Sequence, residues 1–174
     1  MKTKRLTELA LLTAVALIIF VVELQIPNPI SIPGVKLGLA NIITVFAIFY
    51  YRPGEVFLII FVRVLLGAFF SGNMLALLYS IAGGILCFAG MILIKKILSE
   101  KYIWICSVLG AVLHNTGQMA VACLIAGWGM LLYMPFLLVS GCLAGAFTGG
   151  CAQLVIHKLR KHQKSYKSGL GINL

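Results

Sequence analysis

A chain of 174 residues that is 61% hydrophobic and only 10% charged is not composed like a soluble domain, in which about a quarter of residues are charged. Its net charge of +10 does not mark a nucleic-acid binder either. The cations lie in short islands beside long apolar runs, with no separate basic domain to hold them, so they are read as setting orientation in a bilayer and meeting anionic headgroups.

Six apolar runs predict an all-α, six-helix membrane bundle forming one integral domain over residues 1–174. They are Leu6–Leu24, Leu37–Tyr51, Glu55–Phe70, Met74–Ile94, Tyr102–Ala126 and Met130–Ile156, followed by a basic tail over 157–174. The first run follows basic residues as a signal peptide would. It is too long for one, and it ends at Glu23 with no small-residue cleavage site, so it is expected to stay as an uncleaved first span. Ala10 and Ala14 put a stripe of small residues on it.

The stretch Ile32–Asn41, IPGVKLGLAN, joins the first two runs. Pro33 fixes φ and Gly34 allows a positive φ, which predicts a tight turn. The loop carries Lys36, and Asn41 follows one turn into the next helix. The second and third runs hold about 15 and 16 residues, against the roughly 20 that cross a bilayer untilted. Five spans, with these two paired as a hairpin around Arg52-Pro53-Gly54, is therefore the alternative to six. Six spans fit the charges better. With both termini cytoplasmic, twelve Lys and Arg residues fall on the inner side and only Lys36 on the outer side, with Arg63 inside a span. This places the chain in the cell membrane, multi-pass.

Ionisable or strongly polar groups within hydrocarbon cost several kcal/mol, so each is a candidate site residue. Arg63 lies midway along the third run, with Gly67 and Ser71 on its outer side. His114 and Gln118, four residues apart in the fifth run, share a helix face with Asn115 adjoining, among Gly110, Ala111, Gly117 and Ala120. The structural alternatives are an internal partner such as Glu23 for Arg63 and an interhelical hydrogen-bond network for the fifth run. Glu23, Asn28, Lys36, Asn41, Asn73, Tyr79 and Trp128 fall nearer the outer face, which favours an outward-opening pocket. In the last run Gly141, Gly145 and Gly149 recur every four residues, a spacing that serves either packing within the bundle or docking of another membrane subunit.

Cys87, Cys106, Cys123, Cys142 and Cys151 all fall inside apolar runs without a CxxC pair, and His114 has no second ligand at metal spacing. No metal site and no cofactor is expected. The chain has no Asp, and Glu8, Glu23, Glu55 and Glu100 are scattered. A carboxylate cluster to hold Mg²⁺ on a diphosphate is thus missing, as is a Gly-rich phosphate loop. The chain is expected not to be an enzyme.

The blocks IPGVKLGLAN, RVLLGAFFSG, YSIAGGIL and GAVLHNTGQMAVA together resemble the Gx transporter family, also labelled heptaprenyl diphosphate synthase component I, over roughly Leu6 to Ile156. That family is similar to the substrate-binding S-components of energy-coupling factor (ECF) transporters. These are six-helix proteins that bind a vitamin or metal near the outer face and work with a coupling transmembrane subunit and two ATPases. The resemblance implies that Ala10 and Ala14 dock the coupling subunit and that Gln25–Lys36 covers the ligand. It carries over no ligand contacts. The expected site, from membrane depth alone, is Lys36, Asn41, Arg63, His114, Asn115 and Gln118, binding a small, polar or anionic solute. The alternative function is a noncatalytic membrane subunit of a heptaprenyl diphosphate synthase, linked to isoprenoid-quinone metabolism.

Overall fold

A computed structural model describes residues 3–25, 38–98 and 100–169. Six helices follow one another: α1 Thr3–Gln25, α2 Asn41–Tyr50, α3 Pro53–Ser71, α4 Met74–Ile97, α5 Ile103–Ala126 and α6 Met134–Gly169. Short 3-10 turns at Glu100–Tyr102 and Trp128–Tyr133 lead into α5 and α6. Five helices, all but α2, are long and apolar enough to cross a membrane. In hydrocarbon no water satisfies backbone N–H and C=O groups, so apolar runs of this length close their hydrogen bonds within the helix.

The second run is where the structure departs from expectation. Instead of a span over Leu37–Tyr51 there is a helix of 10 residues, about 15 Å long at 1.5 Å per residue. Gly38, at φ 80°, is left-handed and cannot continue a helix backwards, although Leu37, Leu39 and Ala40 keep the run apolar. At the other end Pro53 has no N–H for the Phe49 carbonyl and holds Arg52 extended, at ψ 149°. The short helix still returns the chain to its starting end. Gly38 N–H donates to Glu23 near the end of α1, and the Tyr51 hydroxyl lies 3.4 Å from Glu8 near its start.

The remaining contacts give an up-and-down order. Arg5 makes two hydrogen bonds, of 3.0 and 2.9 Å, to the Glu55 carboxylate at the start of α3, and Gly67 meets Phe20 farther along, so α1 and α3 run parallel. Gly117 meets Ala82, and Gly110 meets Met91, which sets α5 antiparallel to α4. The glycine ladder of α6 faces α5. A Cβ on Gly145 would stand 2.8 Å from Val108 Cα, and one on Gly149 would stand 2.7 Å from Trp104 Cα. The ladder therefore serves packing inside the bundle. Helix α6 consequently ends at the end where α1 begins, beside Lys95, Lys96 and Lys101.

Burial differs sharply between helices. On α1 only Leu9, Ala16 and Glu23 are buried, one every seven residues, hence on a single stripe. On α2 Asn41, Thr44, Val45, Ala47, Ile48 and Phe49 are buried, which marks it as a central element. Apolar side chains such as Phe69, Leu124 and Phe136 point outward, as lipid contact requires. One apolar core (Leu9, Val45, Ile48, Phe49, Val56, Ile59, Met91, Ile103, Ile156) fills the half of the bundle nearest the basic end. A smaller one, of Tyr79, Met119, Ala122 and Leu137, lies toward the other end.

Candidate functional site

Between these cores lies a polar layer. Glu23 on α1, Asn41 on α2, Arg63 on α3, Ser80 on α4, and His114 and Gln118 on α5 line one cavity, with Phe20, Gly38, Ala40 and Val64 completing its wall. Five helices thus each contribute a polar group to one spot. The groups are taken out of solvent: Glu23 is 6% exposed, Arg63 7%, His114 5% and Gln118 1%.

The hydrogen bonding within the layer is incomplete. An arginine carries five N–H donors. Among the described residues Arg63 uses one of them, Nη1 to Asn41 Oδ1 at a long 3.3 Å. Glu23 Oε1 accepts from Gly38 N–H at 2.6 Å. No direct ion pair joins Arg63 and Glu23 among the described residues, where the ion pairs are Arg5–Glu8 and Arg5–Glu55. Among the described residues His114 Nδ1, packed against Gly83, and Gln118 Oε1 are buried without a hydrogen-bond partner. A buried polar atom left unpaired costs about 1–3 kcal/mol, and an ionised group more, so the layer is under-satisfied in the form described.

Close helix approach creates this arrangement. Gly83 lets α5 pass so near α4 that a Cβ on it would stand 2.9 Å from His114 Nδ1. One turn on, Gly117 does the same against the backbone of Ala82 and Gly83. The imidazole is thereby pinned between α4 and the Gly38 turn.

Of the six residues expected from the sequence, Asn41, Arg63, His114 and Gln118 meet at the cavity. Asn115 is buried but turned away, its Nδ2 donating to Leu137 O at 2.6 Å across to α6. Lys36, with Pro33 and Gly34, lies outside the described residues. Ser80, one hydroxyl in an apolar run, also lines the cavity and carries no sequence signal of it. Glu23, one structural alternative as a partner for Arg63, lines the same cavity and accepts from the Gly38 N–H. Tyr79 packs in the smaller apolar core, Asn73 caps α4 by accepting from Leu75 N–H at 2.9 Å, and Trp128 stays exposed. Among the described residues no three His, Cys, Asp or Glu side chains converge as metal ligands.

The cavity encloses about 30 Å³. That is room for roughly two waters, or for one small group such as a carboxylate or amide, but not for a whole vitamin-sized molecule. A second feature sits on the outer surface of the bundle. Ala10 and Ala14, both exposed, lie in an apolar groove of about 360 Å³ between α1 and α3, walled by Leu6, Leu17, Leu58 and Leu66.

Fold and site together define a polytopic, all-α membrane protein with a polar cavity lined by buried side chains from five helices. A family model described as heptaprenyl diphosphate synthase component I matches residues 12–155, and the chain belongs to that family. No curated protein and no solved structure matches it.

Proposed function

We infer that this chain is a solute-capturing membrane component, working in the manner of an ECF S-component, with energy supplied by partner subunits. The observation that carries the reading is the cavity itself. A buried arginine with spare donors shares the cavity with Gln118, whose Oε1 has no partner among the described residues, and with the His114 ring, so a ligand group would satisfy the arginine and the glutamine together. An apolar bundle retains such groups at a cost of several kcal/mol, which binding recovers.

In this reading Arg63 takes an anionic or strongly polar end of the solute, while His114 and Gln118 supply directional hydrogen bonds. The basic end, with Lys95, Lys96, Lys101 and Lys158, faces the cytosol, and the cavity is reached from the opposite side. The α1–α3 groove is the seat of a coupling transmembrane subunit. Tryptophan at both Ala10 and Ala14 is then expected to abolish uptake while leaving solute binding by the isolated chain intact. Unchanged uptake in that double variant would move the docking surface elsewhere.

The family description favours a second reading, in which the chain is a noncatalytic membrane subunit holding a prenyl diphosphate synthase. Affinity purification from the native membrane separates the two. A coupling subunit with ATPases supports solute capture, and a soluble prenyltransferase in their place supports the second reading.

A further inference from the structure

At the other end of the bundle, far from the polar cavity, the break between α2 and α3 leaves a chemical signature. In a continued helix the Ile48 carbonyl would accept from the N–H of Arg52. That N–H instead donates to the Glu55 carboxylate at 2.9 Å, because Pro53 starts a new helix there. The orphaned Ile48 carbonyl is taken by Lys95 Nζ, reaching across from the last turn of α4, with the Phe49 ring 5.5 Å from the ammonium. This bond fixes Lys95 over a cleft of about 250 Å³ formed by Ile48, Pro53, Val56 and Ile92, with Lys96 beside it on the rim. The wall is apolar and the rim is doubly cationic. Among the described residues neither lysine has an acidic partner, since the ion pairs all involve Arg5.

We propose that this cleft is a binding site for an anionic phospholipid, with the headgroup phosphate on Lys95 and Lys96 and the first part of an acyl chain along Pro53 and Ile92, the accessible part of its apolar wall. Three facts select this occupant. The lysines sit where α3 begins and α4 ends, which is headgroup depth for helices that span a bilayer. Two adjacent ammonium groups without an acidic partner among the described residues favour a phosphate carrying net negative charge over a zwitterionic headgroup. The apolar wall beneath them would gain nothing from a free phosphate and matches a hydrocarbon chain. Because Lys95 is held by the Ile48 carbonyl, part of the ordering cost is met before the lipid arrives. The lipid would in turn brace the α2–α3 break, at the end of the described helix that is too short to span a bilayer.

The test is native mass spectrometry of the detergent-purified chain titrated with dioleoylphosphatidylglycerol, dioleoylphosphatidylcholine and glycerol phosphate. The expected result is one phosphatidylglycerol retained at least tenfold better than phosphatidylcholine. Lys96→Gln, at an exposed position, should weaken it about fivefold, and Lys95→Gln with Lys96→Gln at least tenfold, following the usual contribution of each lysine near an anionic surface. Lys158→Gln with Lys161→Gln, the same charge change in the basic tail, should leave retention unchanged. Equal retention of the two lipids would overturn the proposal, as would undiminished retention in Lys96→Gln, or displacement of the lipid by glycerol phosphate at equal concentration.

Discussion

Replacing Arg63 with methionine is expected to lower solute retention by 10- to 100-fold while the bundle stays folded. Charge-assisted hydrogen bonds contribute about 1.5–3 kcal/mol each, and Arg63 is the one described cation lining the cavity. Folding should survive because among the described residues the guanidinium makes a single long bond, to Asn41, and exchanging a buried charge for an apolar side chain of similar length is often neutral or stabilising. Glu23 keeps its bond to Gly38 N–H in the variant. Arg63→Lys should fall between the two, since it keeps the charge and loses the planar fork. The readout is the amount of any metabolite retained from a cell extract, measured by mass spectrometry on equal amounts of folded protein. Full retention by Arg63→Met would remove arginine from the site.

The largest effect on stability is expected at Gly117. A Cβ there would stand 2.7 Å from Ala82 O and 2.9 Å from Gly83 Cα, and both are backbone atoms that cannot swing aside. Valine at this position must push α4 and α5 apart, and overpacking of this kind costs about 1–3 kcal/mol, occasionally more. The damage should extend to function, because His114 and Gln118 flank Gly117 on α5 and Ser80 lies opposite on α4. Gly150→Ala on α6 is the matched control. Its added methyl meets nothing within 4 Å, so it should be neutral or slightly stabilising through helix propensity. Thermal unfolding in detergent should separate the pair clearly, with Gly117→Val several degrees lower.

Membrane depth makes part of this site legible in the sequence. Arg63, His114 and Gln118 are costly in hydrocarbon, and that cost alone marks them, whatever they bind. The long spans were equally plain, because their length matches the bilayer. Other features depend on information that spacing does not carry. His114 and Asn115 are neighbours in the chain, yet about 100° apart around the helix, so one faces the cavity and the other reaches Leu137 on α6. Composition ranks the two alike. The ladder of Gly141, Gly145 and Gly149 announces close packing without naming a partner, and only the fold assigns it to α5. The shortness of α2 was hidden because Leu37, Leu39 and Ala40 continue the apolar run through a left-handed glycine. Ser80 carried no signal, since a hydroxyl can satisfy itself on its own helix.

The enzymatic word in the family description finds little support in the residues. The chain has no Asp, and its four Glu are spread over the sequence. Glu8 and Glu55 attend Arg5 at the basic end, while Glu23 holds the Gly38 turn. A diphosphate with Mg²⁺ requires clustered carboxylates. Among the described residues Glu8, Glu23 and Glu55 form no such cluster.

The decisive measurement is a density map of the protein purified gently enough to keep what it binds, at a resolution that shows side chains and ordered water. Non-protein density against the Arg63 guanidinium, within hydrogen-bond distance of His114 and Gln118 and continuous with a larger solute beyond the 30 Å³ pocket, is the expected result. A cavity holding only water in wild-type protein that has been saturated with a metabolite pool, or a solute seated elsewhere in the bundle, would contradict it.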